Sequence, residues 1–292
     1  MLSLDPKELK TAQIHQYLLH AVAPRPIAWA STIDKDGNPN LAPFSFFNVF
    51  SANPPIAIFS PARSGRTGAT KNTLDNVKEV PEVVINVVNY DLVQQASLSS
   101  TEYPKGMNEF VKAGLTEIPS VKVRPSRVKE SPVQLECIVR EVIELGTEGG
   151  AGNLVIAEVV MIHVADEVLD AETKMIDQNK IDLVARMGGD WYCRASGNAM
   201  FTVKKPLTTI GIGVDSIPAS IRNSITLTGN HLGMLGNVER LPGKEEIDAY
   251  VKSGAIADLQ KARGEKNLHV IAADLLTNGR VEDAWKVLLS EL

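Results

Sequence analysis

The 292-residue chain has only two cysteines, Cys137 and Cys193, which excludes a disulfide framework and a cysteine-based metal centre. It has no excess of positive charge. Thirty Lys and Arg stand against 35 Asp and Glu, a formal net charge of −5, so the basic footprint of a nucleic-acid binder is missing. Long hydrophobic runs are also missing: the longest nearly apolar stretch, residues 154–164, is interrupted by Glu158 and is too short to span a bilayer. The opening Met-Leu-Ser-Leu-Asp-Pro-Lys lacks a basic region followed by an apolar one, so no secretory signal is expected. With 44% hydrophobic and 22% charged residues, the expectation is a globular cytoplasmic protein with neither membrane nor nucleic acid as partner.

Absent motifs narrow the chemistry further. The glycine-rich Gly146-Thr-Glu-Gly-Gly-Ala-Gly152 is followed by a strand pattern and by no Gly-Lys-Ser/Thr, so it reads as a hairpin connection and not as a phosphate-cradling P-loop. No GxGxxG precedes a helix, which leaves a Rossmann-bound nicotinamide unsupported. The five histidines, at 15, 20, 163, 231 and 269, show no compact ligand spacing, and no metal is expected. His163, within an apolar strand, reads as a hydrogen-bonded structural residue. No GxSxG elbow or activated-cysteine context appears, and Cys137 reads as a small core residue. No side chain is therefore assigned a catalytic role.

What is present is mostly β. Asp5, Pro6 and Glu8 form a helix-start signature that predicts a helix to about Gln16. Strands are expected over residues 27–33, 40–49, 56–59 and 82–88, with Asp34-Lys-Asp-Gly-Asn38 as the first hairpin turn. A helix capped at Asn72 or Thr73 runs to about Glu79, and Asp91 caps another containing Leu92, Gln95, Ala96 and Leu98. Proline-rich residues 101–132 are irregular or short elements. Residues 133–145 alternate apolar and polar as a half-buried strand does, whereas 153–164 is apolar on both faces, as in a central strand. After about Gly197 the period is helical. One helix is expected after Pro242-Gly243 through Ile247, Val251, Ile256, Leu259 and Ala262, and two more surround Gly279.

Two regions carry unusual chemistry. In Asn40-Leu-Ala-Pro-Phe-Ser-Phe-Phe-Asn48, Pro43 removes a ladder donor and confines the strand to an edge or bulge, while Asn40, Ser45 and Asn48 supply polar groups. Such a strand suits either a flat heteroaromatic ring or plain solvation at an edge. Ser60 to Thr73 brings Arg63, Arg66 and Lys71 together with hydroxyls and glycines just before a helix start, a local charge of +3. A helix N-terminus with charge-assisted donors favours a phosphate, and a solvated loop is the plain alternative.

Together with Arg25-Pro-Ile-Ala28, Ser31-Thr32, the Asp-Gly turn, Pro54-Pro55, Lys71-Asn72-Thr73, Ser131-Pro-Val133, Leu135-Glu-Cys137 and Arg186-Met-Gly-Gly189 before Tyr192, these regions resemble the flavin reductase-like family, which includes flavoredoxin-type proteins. The resemblance covers roughly residues 8–195. It implies a mainly β fold: an FMN-binding split β-barrel of Greek-key type with peripheral helices over residues 1–196, followed by a mostly α-helical C-terminal extension, 197–292. It further implies non-covalent FMN at a homodimer interface. By position, Asn40, Ala42, Pro43, Ser45 and Asn48 would border the isoalloxazine and ribityl chain, and Ser31 and Thr32 would add hydroxyls. Ser60, Arg63, Lys71, Asn72 and Thr73 would hold the phosphate, with Arg25 nearby. The family's usual Lys-Asp-Thr is here Lys71-Asn72-Thr73, which changes local charge but keeps the Lys and the hydroxyl.

The expected function is an NAD(P)H:flavin reductase, with NAD(P)H as co-substrate and FMN as the redox centre. Two alternatives stay open: an FMN-binding, flavoredoxin-like electron-transfer flavoprotein reduced by a redox protein partner, and a non-enzymatic module that has lost the cofactor.

Overall fold

The computed structural model describes residues 1–206, 208–264 and 266–290. It divides into two compact units, Met1–Phe201 and Thr202–Leu292.

At the N-terminus Asp5 does cap, accepting the Lys7 N–H at 2.9 Å, but it starts only a 3-10 turn, Pro6–Glu8. Leu9 is extended, and helix α1 (Thr11–Ala21) begins afresh with the Gln13 side chain accepting the Lys10 N–H at 3.1 Å. The helix therefore ends at Ala21, five residues beyond the expected end at Gln16.

Strand β1 (Ala28–Ile33) turns through Gly37, at φ +87°, into β2 (Pro39–Phe44). The Asp34 carboxylate holds this turn by accepting from the backbone N–H groups of Asp36 and Asn38 and from the Asn38 amide. The return run expected as one strand over 40–49 is broken at Ser45-Phe46, and β3 (Phe47–Ala52) follows. Then come β4 (Pro55–Phe59), α2 (Asn72–Glu79), β5 (Glu82–Val87), α3 (Val93–Leu98) and α4 (Glu109–Ala113). Asp91 sits inside a 3-10 turn before α3 and makes no cap bond there. The short β6 (Glu117–Ile118) and β7 (Arg127–Val128) precede the long hairpin of β8 (Val133–Glu144) and β9 (Asn153–Val164). The unit ends with α5 (Gln178–Ile181), β10 (Val184–Arg186) and β11 (Tyr192–Arg194).

Seven strands pair in the order β2-β1-β5-β8-β9-β4-β3. The two outermost strands, β2 and β3, are joined by only Ser45 and Phe46, so the sheet has to curl until its edges approach. The Phe44 ring of β2 against Phe59 of β4 at 5.6 Å spans the two edges, while the Ser60 N–H donating to the Phe46 carbonyl at 2.9 Å extends the β3–β4 ladder up to the break. Every second residue of the strands fills the interior: Ala28 and Ala30, Ala57 and Phe59, Val83 and Ile85, Val155 and Ala157, with Leu74 and Val77 of α2 plugging the barrel. Cys137 joins them, and burial pushes its thiol up to about 12. The other face of β1 is covered as well, since Ile27, Trp29 and Leu41 pack with Leu92, Ala96 and Phe110.

The alternation expected for β8 fails in its first half, where the polar Gln134 and Glu136 are also buried. The 119–128 segment covers that face and supplies donors: the Val121 and Lys122 N–H groups bond to the Glu136 carboxylate, and Arg127 donates to Gln134 at 3.1 Å. His163 completes the group, its ring nitrogen 2.6 Å from Glu136.

The second unit is helical: α6 (Ala219–Arg222), α7 (Gly229–Gly236), α8 (Lys244–Lys252), α9 (Ala255–Arg263), α10 (Leu268–Thr277) and α11 (Val281–Leu289). The single helix expected over 243–262 is two, broken where Gly254 takes φ +81°. Trp285 anchors the core among Leu235, Ile271, Leu275 and Leu288 and donates its indole N–H to the Leu235 carbonyl at 3.2 Å. No described helix is long and apolar enough to cross a membrane.

Candidate functional site

The first unit contains a cavity of about 510 Å³, within the range of small-molecule sites. One wall is β2, contributing Asn40, Ala42 and Pro43, followed by Ser45. This strand is a sheet edge, the place where the missing N–H of Pro43 costs no ladder bond. Asn40 is nearly buried and donates its side-chain N–H to the Thr73 hydroxyl at 2.9 Å, tying the wall to the start of α2. Arg25 also lines the cavity, but its donors are engaged by the Leu19, Val22 and Met187 carbonyls at 2.6–2.9 Å. Burial, with Arg186 nearby, holds its guanidinium below the usual arginine range.

The opposite end is the loop from Ser60 to Lys71, which leads into α2. Lys71 occupies the N-cap, and the backbone N–H groups of Asn72 and Thr73 have no acceptor among the described residues. Those two amides and the Lys71 ammonium make an end whose donors and charge suit an anion. The glycine-rich 146–152 turn is the hairpin connection expected, and it also clasps this loop. Arg63 donates its N–H to the Ala151 carbonyl at 2.9 Å and accepts from the Gly150 N–H at 3.1 Å. Asn153 adds bonds to the Ser60 hydroxyl at 3.0 Å and the Pro61 carbonyl at 2.7 Å. A Cβ at Gly149 would stand 3.0 Å from the Ser64 carbonyl oxygen, so a larger residue there would push the two segments apart by a few tenths of an ångström.

The +3 charge of the loop is partly offset within the chain. Arg63 pairs with Glu144 at 3.0 Å, a carboxylate shared with Lys78, while Arg66 and Lys71 pair with Glu102 at 3.3 and 2.6 Å. These cations hold Glu144 and Glu102 below the usual carboxylate range.

Of the residues singled out in the sequence, the structure brings Arg25, Asn40, Ala42, Pro43 and Ser45 to the cavity from one side, and Ser60, Lys71, Asn72 and Thr73 from the other. Four do not line it. Ser31 and Thr32 are fully buried in β1, where the Asn76 amide donates to Thr32 at 3.2 Å and the Ser31 hydroxyl has no partner among the described residues. Arg63 lies behind the loop, and Asn48 faces outward on β3, accepting from the Val49 N–H at 2.8 Å. The sequence reading missed Arg186, residues 99–103 and Glu109, which also line the cavity. Glu109 is nearly buried and accepts the Leu41 N–H at 3.0 Å; desolvation holds its carboxyl above the usual range. No local pattern places these residues at the cavity, because they reach it from the end of β10, the segment after α3 and the start of α4, all distant in sequence from β2 and the cationic loop.

Comparison with known proteins agrees with this architecture. A flavin reductase like domain matches residues 20–181, wholly within the first unit. A protein of Aquifex aeolicus (strain VF5) is 36% identical over 198 residues, 68% of this chain and 97% of that relative. Among solved structures, nitrilotriacetate monooxygenase component B from Bacillus cereus superposes with a TM-score of 0.64 at 30% identity, covering 70% of this chain and 98% of that one. A Shewanella frigidimarina NCIMB 400 protein described as having a split barrel domain gives a TM-score of 0.59 at 26% identity, over 70% and 100% of the two chains. By the extent of the domain match and by this relative, the chain belongs to the flavin reductase-like family, and its first unit is a split barrel.

Proposed function

We propose that the chain binds FMN in the 510 Å³ cavity and acts as an NAD(P)H:flavin reductase. The observation that carries this reading is the pairing of a polar edge strand with an anion-binding helix start across one cavity. The residues present fit the cofactor: Lys71, the Asn72 and Thr73 amides and the Ser60 hydroxyl would hold a phosphate, and Asn40, Ala42, Pro43 and Ser45 would border the ring and ribityl chain. FMN held there would supply the redox chemistry, that of a hydride acceptor and electron donor. The chain's own part is to neutralise the phosphate, fix the ring along β2 and limit water at its buried side. No acid or base side chain is required for hydride transfer, so none is assigned.

A second copy of the chain belongs to this reading. Edge strand β3 exposes Val49 and Phe50 beside Asn48, an apolar surface suited to a homodimer that would bring Asn48 to a shared site. The Bacillus cereus relative is component B of a monooxygenase, which supports a role here in supplying reduced flavin to a partner protein.

The test is the visible spectrum after FMN addition and desalting, followed by anaerobic titration with NADH and NADPH. A retained flavin band that bleaches with either nucleotide is expected. A retained band that bleaches with neither would move the reading to an electron-transfer flavoprotein. The absence of any titratable FMN affinity would overturn it.

A further inference from the structure

The cations at the anion-binding end are already engaged by a carboxylate of the chain. Glu102, in the segment between α3 and α4, accepts from Lys71 Nζ at 2.6 Å through one oxygen and from Arg66 Nη2 at 3.3 Å through the other. Lys71 and Glu102 both line the cavity. The other acidic groups around this end are committed elsewhere: Glu144 to Arg63 and Lys78, Asp75 to the Thr70 hydroxyl, and Glu109 to the Leu41 N–H. Among the described residues, Glu102 alone is set against the lysine that heads α2.

The pair is easily exchanged. Its side chains are 35% and 54% exposed, so solvent screens the attraction. A phosphate monoester carries roughly 1.5–2 negative charges at pH 7 and three acceptor oxygens, against one charge and two oxygens on a carboxylate. It can also take the Asn72 and Thr73 N–H groups, which Glu102 does not touch. The segment has a fixed point from which to swing. Ser99 is buried, accepts the Trp29 indole N–H at 2.8 Å and donates to the Ala96 carbonyl at 2.9 Å. Three residues further on, Glu102 is held through its ion pairs.

We propose that Glu102 is a resident competitor for the phosphate position. It neutralises Lys71 and Arg66 in the ligand-free chain, releases Lys71 when a phosphate monoester enters, and recovers it as the ligand leaves. The consequence is a lowered phosphate affinity that keeps the flavin exchangeable between this protein and its acceptor. The inference rests on the FMN reading of the cavity.

The test compares Glu102→Gln with the wild type in flavin-fluorescence titrations of FMN and riboflavin, with inorganic phosphate as a competitor of FMN. Glu102→Gln is expected to bind FMN roughly two- to fivefold tighter, as removal of an exposed counter-ion allows, and to release it more slowly. Inorganic phosphate then competes at lower concentration, and riboflavin affinity is the same in both proteins. Glu102→Ala gives the same direction, which guards against a new bond from the introduced amide. Unchanged or weaker FMN binding in both variants would overturn the proposal, as would an equal tightening of FMN and riboflavin. A wild type that binds neither flavin would instead defeat the FMN reading itself, and this inference with it.

Discussion

Replacing Lys71 with Ala tests the anion-binding end directly. Lys71 stands at the N-cap of α2, yet its side chain makes no capping bond, and its partner is the half-exposed Glu102. Folding should therefore change by no more than about 0.5 kcal/mol, as for an ordinary surface substitution. Binding is a different matter. A hydrogen bond from the ammonium to a phosphate oxygen contributes about 1.5–3 kcal/mol. At about 1.4 kcal/mol per decade this weakens FMN roughly 10- to 150-fold. Riboflavin, which lacks the phosphate, should bind equally to both proteins. The assay is fluorescence titration of each flavin at one fixed ionic strength, with thermal denaturation of the ligand-free proteins alongside. An unchanged FMN dissociation constant would remove Lys71 from the site, and an equal loss for FMN and riboflavin would show a general collapse of the cavity. In the Lys71→Ala background the effect of Glu102→Gln should shrink, because the two residues act through one contact.

Two further predictions concern the framework. Glu136 is fully buried; burial alone would raise its carboxyl, but the Val121 and Lys122 N–H groups and the His163 ring hold it below the usual range. Because the folded value is depressed, its stabilisation is present above the unfolded value of about 4.3 and is lost as pH falls through the folded one. Glu136→Gln turns one acceptor into a donor facing a donor, so it should cost about 1–3 kcal/mol, with a melting temperature lower by about 2–12 °C. The gap from the wild type should narrow below about pH 4, and a pH-independent gap would refute the carboxylate's role. Ser99→Ala orphans the buried Trp29 indole N–H and should cost about 1–3 kcal/mol; a melting temperature within error of the wild type would show that this bond does not anchor the 99–103 segment.

Local signals were enough for much of this protein. Short runs rich in apolar residues and bounded by turn signals located the strands 27–33, 56–59, 82–88 and 153–164 within a residue of β1, β4, β5 and β9, because a run and its flanking breakers are local to each strand. The proline in β2 marked an edge, and the cap of α2, expected at Asn72 or Thr73, was legible one or two residues late. The break at Ser45-Phe46 was not legible: residues 40–49 suit an extended conformation throughout, and only closure of the barrel sends their two halves to opposite edges. Ser31 and Thr32 looked accessible beside a polar strand, but helices α3 and α4 cover one face of β1 while the barrel interior takes the other.

The sequence by itself determined the strand pattern, the Asp-Gly turn, the edge position of β2 and the cationic loop before α2, since each depends on neighbours a few residues apart. Tertiary structure alone decided that Gln134 and Glu136 are buried, that a glycine-rich turn clasps the cationic loop, and that Glu102 and Glu109 reach the cavity. Burial and charge pairing are set by which segments the closed sheet brings together, and no local window of residues contains that information.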